Sequence, residues 1–74
     1  MPKLYSAREV LKTLQKAGFD IVSQKGSHIK LKGVFNGRIC IVIVPNHKQI
    51  ARGTFESILK QSGMSRLEFE SFYK

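Results

Sequence analysis

The stretch HIKLKGVFNGRICIVIV, residues 28–44, alternates apolar and basic residues, breaks at an Asn-Gly pair and resumes as a β-branched run. Alternation at a period of two belongs to a strand with one buried face. Asn-Gly is the favoured pair for a two-residue type I′ hairpin, because both loop positions need positive φ. With Asn36 and Gly37 as the loop, opposed residue numbers sum to 73, which sets Leu31 against Val42 and Ile29 against Val44. That side of the sheet is wholly apolar and suited to carrying helices. His28, Lys30 and Lys32 then point to the opposite side, in company with Ile39, Ile41 and Ile43.

Upstream, FDIVSQ (19–24) alternates as well and predicts a third strand. Taking Lys25-Gly26-Ser27 as a three-residue loop puts Phe19 and Ile21 with Ile29 and Leu31 on the core side, and Gln24 opposite His28. Before it, Ser6 and Glu9 have the spacing of a capping box, with Tyr5 and Val10 as its hydrophobic staple, so a helix is expected from about residue 7. Val10, Leu11, Leu14 and Ala17 recur at helical spacing, and Gly18 supplies the stop. Arg8, Lys12 and Lys16 share another face, a pattern common to solvated helices and to stripes that meet phosphates. Downstream, Pro45 ends the third strand. A helix is expected from Gly53 or Thr54, with Phe55, Ile58 and Leu59 inward and Gly63 as the stop. Ser65 and Glu68 form a second capping box, with Met64 and Phe69 as staple, opening a short terminal helix that carries Leu67, Phe72 and Tyr73. The expected class is α+β, in the order α-β-β-β-α with a three-stranded antiparallel sheet and a short C-terminal helix.

The 74 residues make a single domain, 1–74, because a chain this short buries only roughly 60–65% of its unfolded surface. A hydrophobic content of 42% with only two prolines argues for an ordered fold. No apolar run has the length of a membrane span, and MPKLYSAREV lacks the apolar core of a secretory signal, so the expected location is the cytosol. The lone Cys40, inside RICIVIV, reads as a small core hydrophobe.

Charge is more informative. Thirteen Lys and Arg against five Asp and Glu give a net +8, which points to a polyanionic partner. No acidic residue lies between Asp20 and Glu56, whereas Lys25, Lys30, Lys32, Arg38, Lys48, Arg52 and both histidines do. Two histidines and one cysteine without clustered carboxylates do not make a zinc site, and no P-loop, dinucleotide fingerprint or nucleophile elbow occurs. No cofactor is called for.

A histidine among cations on an open sheet face suits RNA cleavage. There the 2′-hydroxyl supplies the nucleophile, and the protein need only move protons and stabilise developing charge, without a metal. Imidazole is suited to proton transfer near neutral pH. His28 is therefore a candidate general acid or base, with Lys25, Lys30 and Lys32 as phosphate binders and the amides of Gly26 and Ser27 close to an anion. From spacing alone, a lone histidine at a strand start is more often a surface residue or a satisfied hydrogen-bonder than a catalyst. His47 and Lys48, just past the third strand, are further candidate RNA-binding residues, and His47 is either a partner for His28 or an incidental loop residue.

The order and spacing of several elements single out a family. The Gly-Ser-His of QKGSHIKL (24–31) is followed by VIVPNHKQIARGTFESILKQSGMS (42–65), with its Val-Pro-x-His, Gly-Thr and Ile-Leu-Lys-Gln-x-Gly-Met-Ser elements. Together they resemble the HicA toxins of bacterial type II toxin-antitoxin systems, from the first helix to residue 66. The resemblance implies a double-stranded-RNA-binding-domain-like fold and an mRNA interferase activity with His28 as the catalytic residue. It also implies a HicB-type antitoxin that masks the site. The alternative is a non-catalytic RNA-binding module of the same fold. The band Ile39, Ile41 and Ile43 likewise has two readings: a docking surface for the antitoxin, or a seat for the terminal helix through Leu67, Phe69 and Phe72.

Overall fold

The computed structural model describes residues 4–73. Helix α1 (Ala7–Lys16) is followed by strands β1 (Asp20–Lys25), β2 (His28–Phe35) and β3 (Arg38–Pro45), then by α2 (Arg52–Ser62) and α3 (Arg66–Tyr73). The strands form an antiparallel sheet in the order β1-β2-β3, and the element order is the one expected from periodicity and caps.

Both capping boxes form. Ser6 Oγ accepts the Glu9 amide at 3.1 Å while Glu9 Oε1 accepts the Ser6 amide at 2.9 Å, and Ser65 and Glu68 make the same exchange at the start of α3. The hairpin between β2 and β3 turns on Asn36 (φ 54°) and Gly37 (φ 77°). Every pair in its register sums to 73, from His28 with Pro45 to Phe35 with Arg38.

The hairpin between β1 and β2 differs from expectation. Its loop is the pair Gly26-Ser27, so Lys25 stands opposite His28 and Gln24 opposite Ile29, rather than Gln24 opposite His28. Gly26 at φ +60° is the first loop residue and Ser27 has negative φ, the sign pattern of a type II′ turn, for which Gly at that position is preferred. A bulge between Ile21 and Ser23 absorbs the displaced residue, so that Ile21 still pairs with Leu31. Ile21 nevertheless remains exposed, because the helices lie over β2 and β3 and leave all of β1 exposed.

The core lies between the sheet and the helices. Ile29, Leu31, Val42 and Val44 meet Val10 and Leu14 of α1, Ile58 of α2 and Phe69 of α3, all at most 5% exposed. Phe19 closes one end by lying across Gly33: a Cβ at Gly33 would sit 2.8 Å from the Phe19 ring and 2.9 Å from its Cα. Gly33→Ala is therefore expected to cost about 1–3 kcal/mol, because the clash involves backbone as well as ring. Urea unfolding checks it, and an unchanged midpoint would contradict the packing. Cys40 is half-buried at the margin rather than a core residue, with Sγ 3.6 Å from the Arg38 carbonyl. Arg8, Lys12 and Lys16 are all exposed, the solvated-face pattern.

Candidate functional site

The face of the sheet turned away from the helices carries the polar residues. Residues directly opposed in an antiparallel ladder point to the same side. His28 therefore has Lys25 on one flank and Pro45 on the other. Lys30 has Ser23 and Ile43, and Lys32 has Asp20 and Ile41. His28, Lys25, Lys30 and Lys32 are all exposed. The two-residue turn sharpens the arrangement, since Lys25 stands on the strand beside His28 rather than in a loop. Asp20 is at the end of this face remote from His28.

The other half of the face is apolar. Val34, Ile39 and Ile41 are 60%, 71% and 47% exposed, and Ile43 is 37% exposed. The terminal helix does not cover them. It packs against α1, with Phe69 fully buried, Phe72 against Phe35 and Leu67 out in solvent. That expectation fails because the second staple, Met64 with Phe69, draws α3 back into the core rather than across the sheet. Gln61 of α2 reaches the outer edge of β3 and accepts the Ile43 amide at 2.8 Å, a contact with no periodic signature in sequence.

The segment after β3 is fixed to both of its neighbours. The Asn46 amide donates to the Ser27 carbonyl at 2.6 Å, the Ala7 amide donates to the His47 carbonyl at 2.9 Å, and the Ile50 amide donates to the Tyr5 carbonyl at 2.8 Å. His47 is thereby carried to the start of α1. There it lines a cleft of about 520 Å³ with Ser6, Arg8, Asn46 and Lys48. Its backbone is tied to α1, and no described hydrogen bond joins its imidazole to His28. Arg8 and Asn46 were not legible as site residues, although Arg8 was visible as one cation of a helix stripe.

Among the described residues, no helix is long and apolar enough to cross a membrane. None of their His, Cys, Asp and Glu side chains gather in a group of three that could hold a metal ion.

No curated protein matches the chain. Residues 7–64, from the first residue of α1 to the end of the turn after α2, match the family described as HicA toxin of bacterial toxin-antitoxin systems. With most of its length matched and the expected order of elements around an exposed Gly-Ser-His turn, the chain belongs to the HicA family of toxins.

Proposed function

We propose that this toxin is an endoribonuclease that cleaves mRNA in the cytoplasm and so arrests translation, with His28 as general acid or base. The observation that carries the reading is His28 itself, exposed at the start of β2 and flanked by Lys25 and Lys30 on a face free of helices, in a chain of the HicA family. In the reaction, the substrate's 2′-oxygen attacks the adjacent phosphorus as its proton is removed. The 5′-oxygen leaves and takes up a proton, giving a 2′,3′-cyclic phosphate and a 5′-hydroxyl. His28 serves one of these proton transfers, and Lys25, Lys30 and Lys32 neutralise the phosphodiester as charge builds on its oxygens. The substrate brings its own nucleophile, so no step requires a metal ion. The amide of Ser27, next to a glycine with no side chain to obstruct approach, is a further donor to the phosphate.

Incubating the purified chain with RNA in EDTA tests this. Discrete internal cleavage is expected. Binding without cleavage would instead support a non-catalytic RNA-binding module, for which the same basic face suffices.

Membership of the family implies an antitoxin partner. In our reading this is a HicB-type protein that docks on Ile39, Ile41 and Ile43, which form an apolar band next to His28's row of cations, and inhibits by covering the histidine. Ile41→Lys with Ile43→Lys is expected to weaken antitoxin binding at least about tenfold, as for central residues of an interface. Unchanged affinity in a folded double variant, measured by calorimetry, would contradict docking there.

A further inference from the structure

We propose that the cleft between the first turn of α1 and the Asn46–Lys48 loop is a second phosphate subsite, reached by a single RNA strand that passes from His28 around the end of the sheet. The proposal rests on the RNA-cleavage reading and adds to it both a site and a substrate class.

Three observations carry it. First, the cleft brings together basic residues from two elements: the cations Arg8 from α1 and Lys48 from the loop, with His47 beside them, all exposed. No carboxylate lines it. Glu9, on the same helix turn as Arg8, has both oxygens engaged, Oε1 by the Ser6 amide and Oε2 by the Tyr73 hydroxyl at 2.6 Å. Ser6 also lines the cleft. Its Oγ accepts the Glu9 amide, and the hydroxyl retains a proton to donate to an anionic oxygen.

Second, the cleft is continuous with the His28 site. His28 opposes Pro45, and the next residue, Asn46, is bonded through its amide to the Ser27 carbonyl. One residue further, His47 is bonded through its carbonyl to Ala7. The chain linking the two sites is thus held to the turn on one side and to α1 on the other. Little conformational entropy remains to be lost when a ligand spans them.

Third, the two sites lie on different layers. His28 is on the open face of the sheet, while the cleft opens beside a helix packed on the opposite face. The backbone extends only 19 Å along its shortest principal axis. A flexible single strand can turn around the sheet end and place successive phosphates in both sites. A stiff duplex lying on the open face cannot. The geometry therefore selects single-stranded RNA, bound by a groove of positive charge that follows its backbone.

The test uses the full chain carrying His28→Ala, so that RNA stays intact, with and without Arg8→Ala, and anisotropy titrations of a single-stranded oligonucleotide, a dinucleotide and a duplex. Arg8 is exposed and has no described structural contact, and thermal melting establishes that both proteins fold equally. Arg8→Ala is expected to weaken binding of the longer single strand about fivefold and to lower the slope of log K on log salt by about 0.7, one phosphate contact on a single strand. Dinucleotide and duplex affinities should not change. Arg8→Glu should weaken the single strand further. Equal affinity and slope for both proteins on the long strand would overturn the subsite, as would an equal loss on the duplex. If Arg8→Ala weakens only antitoxin binding, the cleft is a protein site and the proposal fails. A wild-type chain that neither binds nor cleaves any RNA would instead overturn the underlying activity, and the subsite with it. Wild-type cleavage with no Arg8 effect removes the subsite alone.

Discussion

Replacing His28 with alanine is expected to lower the rate of RNA cleavage by about 10²–10⁴-fold, the usual contribution of one positioned acid or base. RNA affinity should change little. Lys25 is paired across the ladder with position 28 through its backbone, and Lys30 with Ser23 and Ile43, so both lysines stay in place without the imidazole. Stability should also hold, because His28 is exposed and no described side-chain hydrogen bond depends on it, and exposed substitutions of this kind usually stay within about 0.5 kcal/mol. This combination of lost rate, kept binding and kept fold separates a catalytic group from a binding group. Lys30→Ala should give the complementary pattern, with weakened and less salt-sensitive RNA binding. Single-turnover cleavage alongside anisotropy on the same preparations checks both.

The largest effect on stability is expected at Phe69. Its side chain is fully buried in α3, with ring centroids 5.0 Å from Phe55 and 5.3 Å from Tyr5, and Tyr5 in turn contacts Tyr73 at 4.9 Å. Phe69→Ala is expected to cost about 3–5 kcal/mol, the range for deleting a buried aromatic side chain. A domain of this size has only about 4–11 kcal/mol in total, so the variant should unfold at a far lower urea concentration or fail to accumulate. Leu67→Ala, in the first turn of the same helix but in solvent, should be nearly neutral. The contrast bears on where the domain ends: α3 lies beyond residue 64, where the family match stops, yet it closes the core over α1. An eight-residue helix has too few internal bonds to form alone. Its order comes from Phe69 and from the Tyr73 hydroxyl on Glu9.

How legible these features were depends on the kind of signal each residue carries. The β2-β3 register could be read outright, because only one loop geometry satisfies positive φ at both Asn36 and Gly37, and the apolar sets agree in that register. The β1-β2 register could not. A three-residue loop and a two-residue loop with a bulge both keep Phe19 on the core side, and period-two alternation near the strand start is blind to a bulge between Ile21 and Ser23. Ile50 is 1% exposed but sits in an irregular segment, where no periodicity marks it as core. For α3, the capping box revealed its start but not the neighbour it packs against, which depends on tertiary fit.

The site divides along the same line. The strand parity that buries Ile29 and Leu31 puts His28 and Lys30 on the open face, and this was readable from the alternation alone. Lys25 joined them only through the shorter turn. Arg8 lies far from His47 in sequence, and nothing in the local pattern indicated that the backbone bond from Ala7 to His47 would bring them to one cleft. Chemistry was the least legible of all. A histidine between two flanking strands has no spacing that distinguishes a catalyst from a surface residue, and the family resemblance is what singled it out.

The proposed chemistry has His28 move a proton in the reaction begun by attack of the RNA's own 2′-hydroxyl. It is tested most directly by mass spectrometry of the fragment ends that wild-type and His28→Ala protein release from one RNA in EDTA. The prediction is 2′,3′-cyclic phosphate and 5′-hydroxyl ends from the wild type, and intact RNA, still bound, with the variant. Fragments with 5′-phosphate ends, or equal cleavage by the two proteins, would contradict it.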